Sequence, residues 1–234
     1  MAYASTTPVI NADEQTRASF LVRVYQHLGL AVAAFIAFET LLFLSGIAEG
    51  LYNFLAAGRG FAWLLILGGF MIVSTIATRS AHNLGNVGAQ YGGLFGMAAI
   101  ESLIFAPFLY YVFNYPGAGG SLAVGSAAVV TTIGFGGLTA IGLITRKDLS
   151  FLRPLVMWGG FVAIGLILAA VLFGFQLGVV FTIAMIGLAG ASILYQTQAI
   201  MRTHPEWAYV GAAVGLFASL MMLFWYVLRL FSRH

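Results

Sequence analysis

The sequence predicts an all-α membrane protein, a seven-transmembrane helix bundle with its C-terminal helix at the centre. Three observations lead there. The 234 residues are 61% hydrophobic and only 7% charged, whereas a soluble domain carries roughly 25% charged residues. Seven apolar runs fall at about 24–45, 61–78, 88–113, 121–144, 155–174, 178–200 and 209–229, each near the ~20 residues that cross about 30 Å of hydrocarbon. The last run, Tyr209 to Arg229, places Gly211, Gly215 and Ser219 four residues apart, a stripe of small residues that lets other backbones approach. Its other flanks hold Leu216, Phe217, Leu220, Phe224 and Trp225. With no polar face, it reads as a hub.

Taken in order, residues 1–22 form a polar N-terminal tail and 23–234 a single transmembrane domain. Asp13, Glu14 and Arg17 stand among small polar residues, unlike the positive start and immediate apolar core of a cleaved signal peptide. The first span is therefore expected to stay as an anchor. In the third span Gly88, Gly92 and Gly96 form a second candidate packing stripe. In the fourth, Gly134, Gly136, Gly137 and Gly142 either pack in the same way or mark a bend. In the last span, Gly215 is expected at a close helix contact, so that leucine there should cost more than trimming Leu216, which could face lipid.

The charges set an expected topology. With the N-terminus inside, the inner segments hold Arg17, Arg23, Arg79, Arg146, Lys147, Arg153 and Arg202 and the outer ones Arg59, Arg229 and Arg233. Seven against three follows the positive-inside rule. The net charge of +3 is too diffuse for nucleic acid, which wants a basic patch or stripe. There is no cysteine, hence no disulfide, thiolate metal site or thiol nucleophile. Lys147, the only lysine, lies in an inner loop, which excludes a retinal Schiff base on the last span.

Glu39 and Glu101 are the acidic residues placed within apolar runs. A carboxylate there is expensive and normally faces the bundle interior or water, where it meets a partner or a proton. Glu101 shares a helix side with Gln90, Leu94, Met97, Phe105 and Phe108, whereas Glu39 lies nearer an outer end and within reach of the interface. Ser192, Tyr195, Gln196, Thr197 and Gln198 make the most polar patch of the sixth span, either interhelical hydrogen-bonding glue or a pore lining. His27, His82, His204 and His234 lack zinc-motif spacing, although His82 and His204 share the inner face. Asp148 reads as a loop-end or capping residue. No metal site or cofactor is expected, and no nucleophile–base arrangement for an enzyme stands out.

Ser192 to Gln198 (SILYQTQ) and Phe224 to Phe231 (FWYVLRLF), with Phe20 to Glu39 and the Arg146 to Phe151 loop (RKDLSF), resemble the signature of the Bax inhibitor-1 family, the transmembrane Bax-inhibitor motif proteins. The chain looks like a divergent bacterial-type member. Members known as calcium leaks have an acidic residue in each of the last two helices, and the matching positions here are Gln196 and Ser219. Arg79 resembles the basic residue that pairs with that acid. The resemblance implies a Bax inhibitor-1-like bundle in the bacterial inner membrane, conducting calcium or protons with altered pH gating and with Gln196, Ser219 and Arg79 at the matched positions. The acids Glu101 and Glu39, read from the apolar runs, join them in the expected ion pathway, and the basic residues put the N-terminus in the cytoplasm. The alternative it implies is a non-conducting regulator that binds other membrane proteins, in cell-death suppression or in modulation of an AAA protease. A small-solute transporter is a third class.

Overall fold

The computed structural model describes residues 8–58, 60–145 and 147–232; Arg59, Arg146, Arg233 and His234 lie outside the described residues. Among those described, eight α-helices follow a short 3-10 turn at Val9–Asn11: α1 (Glu14–Leu44), α2 (Ile47–Ala57), α3 (Phe61–Ala81), α4 (Val87–Asn114), α5 (Gly120–Ile144), α6 (Leu152–Phe173), α7 (Val179–Thr203) and α8 (Tyr209–Phe231). All but α2 are long and apolar enough to cross a membrane. Asp13 caps α1 by accepting the Thr16 amide at 2.8 Å, and Asn86 caps α4 by accepting the Ala89 amide at 3.0 Å. Each cap satisfies an amide that a helix start leaves without a partner.

α8 occupies the centre, with α1, α3, α4, α5 and α7 packed around it. Small residues allow that crowding: Gly211, Ala212 and Ala213 are buried together with Leu216 and Phe217. Phe217 meets Phe35 of α1, which in turn meets Phe105 of α4 edge-on at 5.2 Å. α6 packs on α7 at the periphery. The connections 82–86, 147–151 and 204–208 lie at one end, here called the basic end, with Lys147 within them and Arg202 beside them; α2 lies at the other.

The structure departs from the sequence expectations in four places. α1 begins at Glu14, inside the stretch read as a tail, and Val9 is buried, its amide donating to the His204 carbonyl at 2.9 Å. α2 is a further helix, too short to span, entered through Gly46 at φ +75°, a conformation that glycine adopts without steric cost. It turns Ala48 and Leu55 inward. On α4 the close approach to α3 falls at Gly93, where a Cβ would overlap the Ala77 carbonyl and the Ala81 backbone, whereas Gly92 faces open space. Neighbouring helix positions differ by about 100°, so a one-residue offset moves the contact to another side. Finally, Leu216 is fully buried rather than lipid-facing, because the hub is enclosed on that flank too.

Candidate functional site

The two positions at which the family resemblance expects acids touch each other. Gln196 of α7 donates through Nε2 to Ser219 Oγ of α8 at 2.7 Å and to Ser192 Oγ at 2.9 Å, while the two serine hydroxyls are 2.9 Å apart. Ser192 and Gln196 share a side because they are one turn apart. Space for the amide comes from Gly215, where a Cβ would stand 2.8 Å from Gln196 Oε1. Three neutral side chains thus close into one knot joining α7 to α8. It holds no charge and lines none of the three cavities described below.

Glu101 lies elsewhere, on the α4 side of α8. It is 6% exposed and lines a cavity of about 600 Å³ together with Arg79, Thr78, Met97, Met222 and Trp225. Arg79 and Glu101 share this space without an ion pair. Towards the α2 end follows a second cavity of about 890 Å³, lined by Tyr52, Trp63, Tyr111, Gln176 and Arg229 among others. Leu67, Ile104, Trp225 and Tyr226 line both, so these four form the wall between them. Trp225 is held there edge-on to Phe105 at 4.9 Å and to Trp63 at 6.2 Å, with Phe108 at 4.7 Å. Arg229 donates to the Leu177 carbonyl at 3.0 Å, tying the end of α8 to the α6–α7 connection.

Glu39 lies apart from Glu101, in a different cavity. It lines a third cavity, about 780 Å³, between α1, α4, α5 and α8, which touches the first only at Met221. Both carboxyl oxygens of Glu39 are buried without a hydrogen-bond partner, as is Thr131 Oγ1 in the same cavity. The five positions that the sequence singles out for an ion pathway therefore fall into three places. Glu101 and Arg79 share one, Gln196 and Ser219 another, and Glu39 stands alone.

The basic end carries contacts that the sequence reading missed. Gln198 accepts the Leu149 amide through Oε1 and donates through Nε2 to the Lys147 carbonyl, both at 2.8 Å, and Arg202 pairs with Asp148 at 2.9 Å. One turn of α7 thereby clamps the α5–α6 connection. Asp148 also accepts the Ser150 amide at 2.9 Å, and that bond, with Arg202 beside it, holds its carboxyl below the usual range. His82 and His204 come together with ring centroids 5.8 Å apart. Burial first, and then His82, holds the His204 imidazole below its ordinary value. His27 reaches the Tyr91 hydroxyl at 2.9 Å and lies against Tyr209 at the start of α8. The four-residue spacing of Gln198 and Arg202 was the available signal, since it puts both on one side of α7.

Seven membrane-length helices, the last enclosed by its neighbours, define a polytopic helical membrane protein. The chain belongs to the family described as Inhibitor of apoptosis-promoting Bax1, whose model matches residues 17–234. It is similar to a Pseudomonas aeruginosa protein named Uncharacterized protein PA2604, with 34% identity over 141 residues. That match spans 59% of this chain and 61% of the other. No solved structure matches.

Proposed function

We propose that this protein is a passive cation pathway, for protons or calcium, in which Glu101 is the carboxylate that the ion meets. The observation that carries the reading is the pair of abutting cavities beside α8, one holding Glu101 and Arg79, the other reaching the α2 end, divided by a wall of four apolar and aromatic residues. A hydrophobic constriction between wetter spaces is a recurrent gate, and a carboxylate at membrane depth is retained where it pairs, titrates or conducts. Arg79 supplies the resident positive charge of the cavity, so an entering cation competes with it for Glu101. The Gln196–Ser192–Ser219 knot contributes polarity but no charge, so the pathway lacks the family's acid-pair form of pH gating. In this reading the protein is not an enzyme, and it lies in a bacterial inner membrane with the basic end, and hence the N-terminus, in the cytoplasm.

Flux through liposomes carrying the purified protein, measured for calcium, potassium and protons, tests the reading. Glu101→Gln keeps shape and most hydrogen bonding but removes the charge, and it should insert and fold normally while losing flux. Trp225→Ala opens the wall between the cavities and should raise it. Unchanged flux and pH profile in well-folded Glu101→Gln protein overturns the assignment. Capture of membrane partners by a protein that conducts nothing moves the function to the regulator class.

A further inference from the structure

Glu39 and its cavity belong to no step of that pathway, and their chemistry is different. We propose that the cavity between α1 and α5 is a binding site for a lipophilic ammonium, the amine of a single-chain aliphatic amphiphile, with Glu39 as its counter-ion. This inference is independent of whether the protein conducts.

Glu39 is 7% exposed, and its carboxyl has no hydrogen-bond partner at either oxygen. No lysine, arginine or histidine lines its cavity, so the described chain offers this carboxyl no countercharge there, and it either holds a proton or meets a cation brought in from outside. A buried carboxylate is tolerated when it is paired. An inorganic divalent ion fits poorly, since calcium takes about six to eight oxygens and the walls are mostly Phe35, Phe43, Leu109, Phe113 and Phe224. An ammonium needs only one countercharge and gains from aromatic faces as well. Further acceptors line the same cavity from α5 and α4. Thr131 Oγ1 is buried without a partner, and Asn114, whose Nδ2 is committed to the Tyr110 carbonyl, offers Oδ1.

The location fits an amphiphile. The volume of about 780 Å³ falls within the roughly 300–1,000 Å³ of small-molecule sites. α1 and α5 both pack on α8 yet scarcely on each other, so the cavity opens sideways, past Ile36 and Leu44, which are 58% and 81% exposed. Glu39 stands five residues before the end of α1 at Leu44, about 7 Å along the axis at 1.5 Å per residue. An amine entering from the headgroup layer reaches it after about one and a half turns, and its chain continues along the apolar wall. Both carboxyl oxygens are shielded, so binding requires the Glu39 side chain to turn and present them to the cavity it lines.

The test is equilibrium binding of radiolabelled n-decylamine to the full-length protein in nanodiscs, with empty nanodiscs subtracted and n-decanol and n-decyl sulfate as competitors. About one saturable amine per protein is expected, displaced by neither the alcohol nor the sulfate. Glu39→Gln should weaken it at least tenfold, and Ala128→Phe, which fills the exposed mouth of the cavity while leaving the carboxylate in place, should also weaken it. Glu101→Gln should leave it intact. Full binding in Glu39→Gln overturns the proposal, as does competition by n-decanol, which would make the cavity a groove for any lipid chain. Should Glu39→Gln not fold, undiminished binding by Ala128→Phe overturns it instead.

Discussion

Gly215 and Gln196 are coupled through a single contact, and a double-mutant cycle reads that coupling directly. Alanine at 215 puts a Cβ 2.8 Å from Gln196 Oε1, nearer than carbon and oxygen approach without strain. The oxygen is the far end of a flexible side chain, so the backbone holds while the amide swings away. The swing breaks the bonds from Nε2 to Ser219 and Ser192 at 2.7 and 2.9 Å. Interhelical hydrogen bonds in membranes are worth about 0.6 kcal/mol on average, so Gly215→Ala should cost about 1–2 kcal/mol. Gln196→Ala removes the same bonds from the other side and should cost about as much. Once Gln196 is gone the new Cβ has nothing to displace, and the double variant should be little worse than either single one, a coupling of about 1 kcal/mol. Reversible thermal or denaturant unfolding in detergent measures all four corners. Additive costs would refute the geometry, since they would mean that Gly215 is needed for something other than room for that amide. Leu216→Ala serves as the scale. With Leu216 fully buried, and with detergent about as apolar as the side chain so that little transfer energy is lost, a residual void of about 80 Å³ at ~24 cal/mol per Å³ costs about 2 kcal/mol. Gly215→Leu, which adds overpacking of about 1–3 kcal/mol to the lost bonds, should exceed it.

Protonation of His204 should destabilise the fold. Its folded value lies below the unfolded 6.5, so the unfolded chain takes up more protons and stability, complete above about pH 6.5, falls as pH drops towards the folded value. Melting curves between pH 8 and 5 should show a loss that His204→Gln flattens. Gln198→Ala frees the Leu149 amide and the Lys147 carbonyl, costing about 1–3 kcal/mol by the usual range for two such bonds; hydrogen exchange at residue 149 should accelerate by tenfold or more while exchange in α8 stays slow. Gln196→Asp with Ser219→Asp sets two carboxylates in contact, where they share a proton at low pH. Calcium binding absent from the parent site should then appear and strengthen as pH rises, as titration calorimetry can measure.

The spans were legible because length and hydropathy alone report whether a helix can cross a bilayer, and the enclosed α8 because a stripe at Gly211, Gly215 and Ser219 with no polar flank has no other comfortable place. The buried side of α4 was legible for the same periodic reason: Gln90, Leu94, Met97, Glu101 and Phe105 recur at helical spacing and are all buried. α2 was not, since its 11 residues fall below any spanning length and its inward side is set by what α4 offers. Which glycine of an adjacent pair meets a neighbour was equally hidden, as Gly92 and Gly93 show. Contact between Gln196 and Ser219 was implied only by the resemblance, because nothing in their spacing joins residues on different helices.

The partition of the two buried acids is the feature furthest from sequence, and it follows from the hub itself. Glu39 and Glu101 are both buried, so a reading along the chain puts them in one polar interior. A bundle whose centre is a helix rather than a lumen has no single interior. α8 fills it, and the spaces left over lie against different parts of it, one lined with α3 and α4 and the other with α1, α5 and the far end of α4. Met221, which borders both, is the apolar side chain between them. A charge in one cavity therefore meets the other cavity only across that side chain. The two carboxylates are free to take different partners, a small ion moving along the first cavity and an amphiphile resting in the second, and substitution of one should leave the chemistry of the other unchanged.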